Sequence, residues 1–540
     1  MSRLRQGGGP VGDERRGTGG RLGVWIGGAV AVVALGAGGW ALTAADDPAP
    51  RTGPLSAAEV RGAADRFLDA WAGGDPERAA DRTDDARAAG RALRDYRDAA
   101  HLTPVRLTAR TPEGARVPFS VRARFAYGGG TAPVAYDSGL TVVRRAGDGE
   151  PVVDWRPGVL QPRLGDGGRF EVRETGPARV DALDRTGRPL DLRTFPSLAP
   201  VVDGLARGYG RSAGGRPGAE LRTAPGGQVL ASVPQGAPGR VRTTIDAGVQ
   251  RAAEREVALR PDASLVVLRP STGAVLAVAG SGAGGSDTAL RGRLAPGSTM
   301  KMITASLLLE KKLAAPDRPH PCPKNASYGG WTFHNVDDFD IVGGTFRSSF
   351  AASCNTAFIT QAGKIADDAL SRQARDVFGI GERWSAGVDV FAGAVPVEHA
   401  ASKAASMIGQ GEVRMNPLTM ASVISTARTG RFRQPYLVAP DVDRRTLATA
   451  HRPLDAAAHA QLRDLLHTTA TSGSAAGSMA GLTGDIGAKT GSAEVIGQKE
   501  PNGWFAAWHG DLAASAVMRR GGRGGESSGP LVAAVLRSVR

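Results

Sequence analysis

Pro296-Gly297-Ser298-Thr299-Met300-Lys301 opens a stretch that continues through Ile303, Leu307 and Leu308 at helical spacing. Pro and Gly just ahead suit a helix start. Ser298 then sits at the positive end of the helix dipole, where developing negative charge is favoured. Lys301, three residues on, projects from the same face one turn later. A serine hydroxyl is a poor nucleophile until a neighbouring base removes its proton. A lysine held among apolar or cationic groups can lose its own proton and serve as that base. Ser-x-x-Lys spacing is common by chance, so its meaning depends on the rest of the chain.

Two further motifs supply that meaning. Ser353-Cys354-Asn355 lies within the stretch from Phe350 to Phe358, and Lys489-Thr490-Gly491-Ser492 follows Gly487-Ala488. SxxK, SxN and KTG in this order are the signature of penicillin-recognising serine enzymes. Ile408-Gly409-Gln410-Gly411, Pro417-Leu418 with Ala421, and Trp504-Phe505-Ala506 add support. On these residues the chain resembles a class B penicillin-binding protein, a peptidoglycan D,D-transpeptidase, over essentially everything after the N-terminal apolar segment.

The resemblance implies a role for each motif residue. Ser298 is the nucleophile and Lys301 its base; Ser353 relays a proton to the leaving amine, and Asn355 holds the substrate amide. Lys489 supplies positive charge on an edge strand, where Thr490 and Ser492 hydrogen-bond a terminal carboxylate. Gly491 admits substrate backbone, and the N–H groups of Ser298 and Ser492 form an oxyanion hole. Met300 departs from the Phe often found there, Asn416 from Thr, and Ser492 from Thr; none removes a catalytic group. The implied activity is a serine-type acyltransferase that cross-links stem peptides ending in D-Ala-D-Ala through a Ser298 acyl-enzyme, with release of D-alanine. β-Lactams acylate the same serine. Alternatives on the same fold are a β-lactam-hydrolysing enzyme or D,D-carboxypeptidase, and a non-catalytic β-lactam sensor or scaffold. The region ahead of the catalytic block is too short and differently patterned for a glycosyltransferase domain, so the monofunctional type fits better. Cell-wall synthesis proteins such as a separate glycosyltransferase are candidate partners, and no cofactor or metal is implied.

Working outward, residues 256–540 form the catalytic block, expected as an α/β domain with a central antiparallel sheet flanked by helices. Leu265–Leu268 and Ala274–Val278 flank Pro270-Ser271-Thr272-Gly273, a hairpin signature. Gly280–Gly285 formally fits GxGxxG. With no helix expected directly after it, it reads as a flexible loop rather than a dinucleotide site. Residues 161–255 resemble the family's β-rich pedestal, through Asp184-Arg185-Thr186-Gly187-Arg188-Pro189-Leu190 as a strand-turn-strand and Thr244-Ile245-Asp246 with Gln250 and Glu254 as a helix start. Residues 56–160 open on a Ser56/Glu59 capping box. Val60, Ala63, Ala64, Phe67 and Trp71 follow at helical spacing, and a second helix is expected near 85–100. Phe119, Val121, Ala123, Phe125 and Tyr127 then alternate with polar residues as a strand, with more strands near 134–143 and 152–155. This small α+β, cone-like domain resembles the nuclear transport factor 2-like domain of methicillin-resistance-type penicillin-binding proteins.

Leu22–Ala45 carries no charge, and about 20 apolar residues span a bilayer. Arg3, Arg5, Arg15, Arg16 and Arg21 precede it, while Asp46 and Asp47 follow. This reads as a single-pass anchor in the cytoplasmic membrane with residues 1–21 a disordered cytoplasmic tail, 46–55 a linker, and the rest extracytoplasmic. The whole is a multidomain α+β chain, as its 540 residues require.

The net charge of +14 comes from scattered Arg without a dense basic run or aromatic stripe, so no nucleic-acid partner is expected. Eight histidines and two cysteines form no zinc pattern. Outside the membrane Cys322 and Cys354 are free to pair, but their spacing leaves that open.

Overall fold

The computed structural model describes residues 52–538 apart from Ala283. The apolar segment 22–45 and the tail 1–21 lie outside the described residues, and among the described residues no helix is long and apolar enough to cross a membrane. The first domain begins with the helix Ala57–Ala72, whose N-terminus carries the expected reciprocal Ser56–Glu59 cap. The helix Ala86–Asp98 follows, capped by Asp85. Strands β1 (Leu102–Ala109), β2 (Arg116–Tyr127), β3 (Gly130–Arg144) and β4 (Pro151–Val153) form one antiparallel sheet in that order. The alternation in β2 buries Val117, Phe119, Val121, Ala123 and Phe125 under the helices. Trp71 is the hub of that core, edge-on to Tyr96 at 5.4 Å and to Phe119 at 6.2 Å. The last strand stops short of Trp155, because the Trp155 amide is drawn to the Asp84 carboxylate and Pro157 starts a short helix.

Residues 161–255 divide their apolar side chains between two cores. Strands β5 (Arg169–Gly176), β7 (Gly218–Ala224) and β8 (Val229–Val233) form one sheet, and Ala219, Leu221, Ala231 and Val233 join the core of the first domain. Strand β6 (Val180–Leu183) pairs in parallel with β9 (Gly239–Arg242) and, with the helix Ala199–Tyr209, packs against the catalytic core. The turn expected after Leu183 is held by the buried Asp184 carboxylate, which accepts from the N–H groups of Thr186 and Arg188. Its second strand shrinks to an isolated bridge at Pro189, a residue with no N–H to offer.

The catalytic sheet contains β10 (Ala263–Arg269), β11 (Ala274–Gly280), β14 (Ile486–Ala493), β15 (Asn502–His509) and β16 (Leu512–Met518), in the order β11-β10-β16-β15-β14 and antiparallel throughout. A small hairpin, β12 (Asn325–Tyr328) with β13 (Trp331–His334), stands apart from it. The helices Ala247–Ala258 and Ser528–Ser538 contribute to the core on one face. Lys301–Glu310, Pro417–Thr429 and other helices enclose the second core. The outer edge of β11 is closed by Gln250, whose amide pairs with both the N–H and the C=O of Val278 at 2.9 and 2.8 Å, a side-chain substitute for a neighbouring strand. One expectation fails here. The glycine run leads directly into a helix, Gly285–Arg291, because Gly280 packs so closely on Gly285 that a side chain at 280 would collide with its backbone.

Trp71→Ala should destabilise the first domain by about 3–5 kcal/mol, the usual cost of emptying a large aromatic site. Urea titration of the variant should show that domain melting earlier.

Candidate active site

Three chain segments distant in sequence meet at the edge strand β14. Gly297–Met300 forms a tight 3-10 turn that runs into the helix Lys301–Glu310, so Ser298 lies one turn ahead of the helix proper. This geometry requires two glycines. Gly297 has φ +53°, and a side chain there would strike the Ser492 carbonyl; a side chain on Gly409 would strike Gly297 itself. The Gly297 N–H donates to the Gly409 carbonyl at 2.9 Å, so the Ile408–Gly411 stretch clamps the serine turn against β14.

Lys301 is fully buried. Its Nζ lies 2.9 Å from Ser298 Oγ, 2.7 Å from the Ser353 backbone oxygen and 2.7 Å from Asn355 Oδ1. The Asn355 amide cannot be reversed, since its Nδ2 donates to the His334 carbonyl at 3.0 Å. Two of the three neighbours of Nζ are therefore oxygens that only accept. A neutral amine gives its two hydrogens to them and turns its lone pair to Ser298, whose hydroxyl then donates. Burial first, and the charge of Lys489 second, hold the Lys301 amine well below the usual lysine range. The aromatic ring of Phe358, 5.5 Å away, closes the apolar side.

Lys489 is also fully buried. Its Nζ donates to Ser353 Oγ at 2.7 Å and to the Thr490 carbonyl at 3.1 Å, and it sits 5.6 Å from the Phe350 ring. Burial lowers its pKa to about 7. Ser353 thus has Lys301 on its carbonyl and Lys489 on its hydroxyl, and it adopts the left-handed region with φ +63°. Such a conformation in a non-glycine residue persists only where its surroundings enforce it.

The structure brings together Ser298, Lys301, Ser353, Asn355 and Lys489, with Thr490, Gly491 and Ser492 on β14. Two details add to the roles expected of them. A side chain at Gly491 would meet the Pro296 oxygen and the Thr299 nitrogen, each at 3.0 Å. Its missing Cβ therefore admits the serine turn. Thr490 is nearly covered, and its hydroxyl is paired with Ser474 Oγ at 2.8 Å, leaving the half-buried Ser492 as the more open hydroxyl.

Ser474 and Asn335 carry no motif in the sequence. Asn335 is fully buried, and only the fold shows that it grips the SxN segment. Cys322 and Cys354 form a disulfide with Cα atoms 6.3 Å apart, which ties the middle residue of SxN to the chain preceding the hairpin. Asp337, just after that hairpin, pairs with Arg523, whose neighbour Gly524 packs on the Gly491 carbonyl. Both sides of the groove are thus joined at its rim.

With a buried amine facing a serine at a helix start, an edge strand alongside and a second buried cation, the arrangement suits covalent acyl transfer. Unfolded lysines hold their protons to higher pH than these two, so the unfolded state binds more protons between about pH 7 and 10.5 and stability should rise with pH across that window. Lys489→Met should flatten the rise by about 1.4 kcal/mol per pH unit, the contribution of one proton, as read by denaturant titration from pH 7.5 to 9.5.

Residues 263–537 match the family described as the penicillin binding protein transpeptidase domain. Among curated relatives, the peptidoglycan D,D-transpeptidase PbpA of Mycobacterium tuberculosis is 27% identical over 359 residues, 56% of this chain and 72% of that protein. PbpA of Mycolicibacterium smegmatis is 27% identical over 415 residues, covering 63% and 80%. Among solved structures, Pseudomonas aeruginosa PBP2 aligns with a TM-score of 0.54 at 19% identity, covering 67% of this chain and 96% of that one. Penicillin-binding protein 3 of M. tuberculosis, complexed with aztreonam, aligns with a TM-score of 0.51 at 21% identity, covering 68% and 96%. With half the chain matched to that family and the three motifs gathered at one strand, the protein belongs to the penicillin-binding protein transpeptidase family.

Proposed function

We infer that this protein is a peptidoglycan D,D-transpeptidase that β-lactams inactivate covalently. The observation that carries the reading is the approach of Lys301 Nζ to Ser298 Oγ at 2.9 Å, in a site where Lys489 Nζ holds Ser353 Oγ at 2.7 Å. A donor stem peptide adds along β14, with its terminal carboxylate drawn to the Lys489 end and to Ser492. Ser298 Oγ attacks the carbonyl carbon between the two terminal D-alanines, and its proton passes to Lys301 Nζ. The N–H groups of Ser298 and Ser492 receive the oxyanion, each such donor being worth roughly 10²–10³ in rate. The C–N bond then breaks, and the departing D-alanine amine takes a proton relayed through Ser353. Oδ1 of Asn355 orients the base, and the second Nδ2 hydrogen remains for a substrate carbonyl. An amine from a neighbouring stem attacks the Ser298 ester, loses a proton and leaves cross-linked peptide and free serine.

The same reading extends to the rest of the chain. Residues 22–45 serve as a single-pass anchor that keeps the catalytic domain outside the cytoplasmic membrane, supported by the uncharged run and the flanking Arg and Asp residues. The segment 56–160 is a nuclear transport factor 2-like domain, supported by the long helices Ala57–Ala72 and Ala86–Asp98, with two short ones, on a four-stranded antiparallel sheet. With 161–255 as a pedestal, it holds the catalytic domain, 256–540, off the membrane toward the peptidoglycan. A cell-wall glycosyltransferase is the partner such an enzyme needs for new strands.

Intact-mass spectrometry after penicillin exposure should show one adduct on the parent protein and none on Ser298→Ala. Incubation with a stem-peptide mimic should release D-alanine. Rapid multiple turnover of nitrocefin without D-alanine release would instead identify a hydrolase.

A further inference from the structure

Asn355 touches Lys301 through Oδ1, so whatever sets the place of Asn355 also sets the direction of the amine lone pair. Within its own segment the SxN loop is held mainly through its backbone, which leaves the Asn355 side chain to be placed from elsewhere. Ser353 has left-handed φ, and the loop backbone is tied back by Ser353 N–H to Phe350 oxygen at 3.0 Å and Cys354 N–H to Ser349 oxygen at 2.9 Å, while the Asn355 carbonyl accepts from Phe358 at 3.0 Å and Ile359 at 3.1 Å. Lys301 and Lys489 hold Ser353, the disulfide holds Cys354, and the end of β13 with the residue after it holds Asn355.

Asn335 is completely buried and every polar atom of its carboxamide is engaged. Oδ1 accepts from the N–H groups of Asn355 at 2.7 Å and Thr356 at 3.1 Å. Nδ2 donates to the carbonyls of Phe339 at 2.8 Å and Pro323 at 3.1 Å, and lies 3.1 Å from Thr356 Oγ1. Two N–H groups face the oxygen and two carbonyls face the nitrogen, so the amide has one orientation. The preceding residue, His334, receives Asn355 Nδ2 on its carbonyl. Consecutive residues thus fix the backbone and the side chain of Asn355 separately. The Cys322–Cys354 bridge fastens the same two segments from the other side.

We propose that Asn335 is a positioning residue for acyl-enzyme formation, acting through Asn355 to hold Lys301 in line with Ser298. The inference rests on the transpeptidase reading above. It assigns the segment after β13 a part in the chemistry that no sequence motif marks.

Two variants of the full chain test it: Asn335→Ala removes both grips, and Asn335→Asp keeps an acceptor for the Asn355 and Thr356 amides. Penicillin acylation is separated into non-covalent binding and the covalent step, and followed against pH. The charged group bearing on Lys301 is Lys489; it is unchanged in both variants, as is the Lys324–Asp338 pair at the base of the hairpin. Asn335→Ala should slow the covalent step on the order of 10²-fold, as a small misplacement of a reacting group does, with binding nearly unchanged. Freed from Asn355 Oδ1, which favours the ammonium, Lys301 should show its acid limb at lower pH. Asn335→Asp, protonated so that it still donates to one of the two carbonyls, should recover part of the rate and return that limb toward the parent's position.

A purely structural residue would lower the reactive fraction and leave the pH midpoint where it was. An Asn335→Ala covalent rate within about threefold of the parent, or an unshifted Asn335→Ala midpoint, would overturn the proposal. So would loss of cooperative unfolding in both. Failure of the parent protein to be acylated at all would strike the transpeptidase reading instead.

Discussion

Everything in the catalytic domain is arranged around two fully buried lysines that form no ion pair with a carboxylate among the described residues. Removing an ammonium group from water costs several kcal/mol, and a second one nearby adds repulsion. The fold does not neutralise this with an acid. It lets Lys301 give up its proton, supplies backbone and amide oxygens at 2.7–3.1 Å, and lays Phe350 and Phe358 against the two amines. A lysine that yields its proton more readily than usual is the chemical product of that unfavourable burial, a frequent arrangement at functional sites.

Holding the lysines in place requires backbones to approach more closely than side chains allow. Gly297, Gly409 and Gly491 let the serine turn lie between β14 and the Ile408–Gly411 stretch, and Gly524 lets the chain after β16 fold onto the Gly491 carbonyl. The opposite wall is tied by the Cys322–Cys354 bridge, by Asn335 and by the Asp337–Arg523 pair. The groove is thus built from rigid, mutually locked segments, as preorganised catalysis requires. Gln250 performs the corresponding task at the far edge of the sheet, sealing β11 so that β14 remains the open edge.

Much of this was legible from residue order. The Ser56–Glu59 cap, the alternation in β2, the hairpin around Ser271-Thr272 and the three catalytic motifs each depend on neighbours a few residues apart, so local pattern reveals them. What escaped depends on contacts across the chain. The partner of Thr490 is Ser474, the amide that fixes Asn355 belongs to Asn335, and the reason for Gly491 is the Pro296 carbonyl. The helix after Gly284 escaped because glycines rank low in helix propensity, whereas Gly280 is required there by its packing on Gly285. The pairing of the two cysteines could not be read from spacing alone, since it depends on the chain returning to within 6.3 Å between Cα atoms.

The central claim is that the charge on Lys489 helps keep Lys301 unprotonated within one groove. It is tested most directly by the pH dependence of penicillin acylation in Lys489→Met, compared with the parent protein. If the two lysines share the site, losing the second cation raises the Lys301 pKa and moves the acid limb of acylation to higher pH. An acid limb at the parent's position, whatever the change in absolute rate, would contradict it.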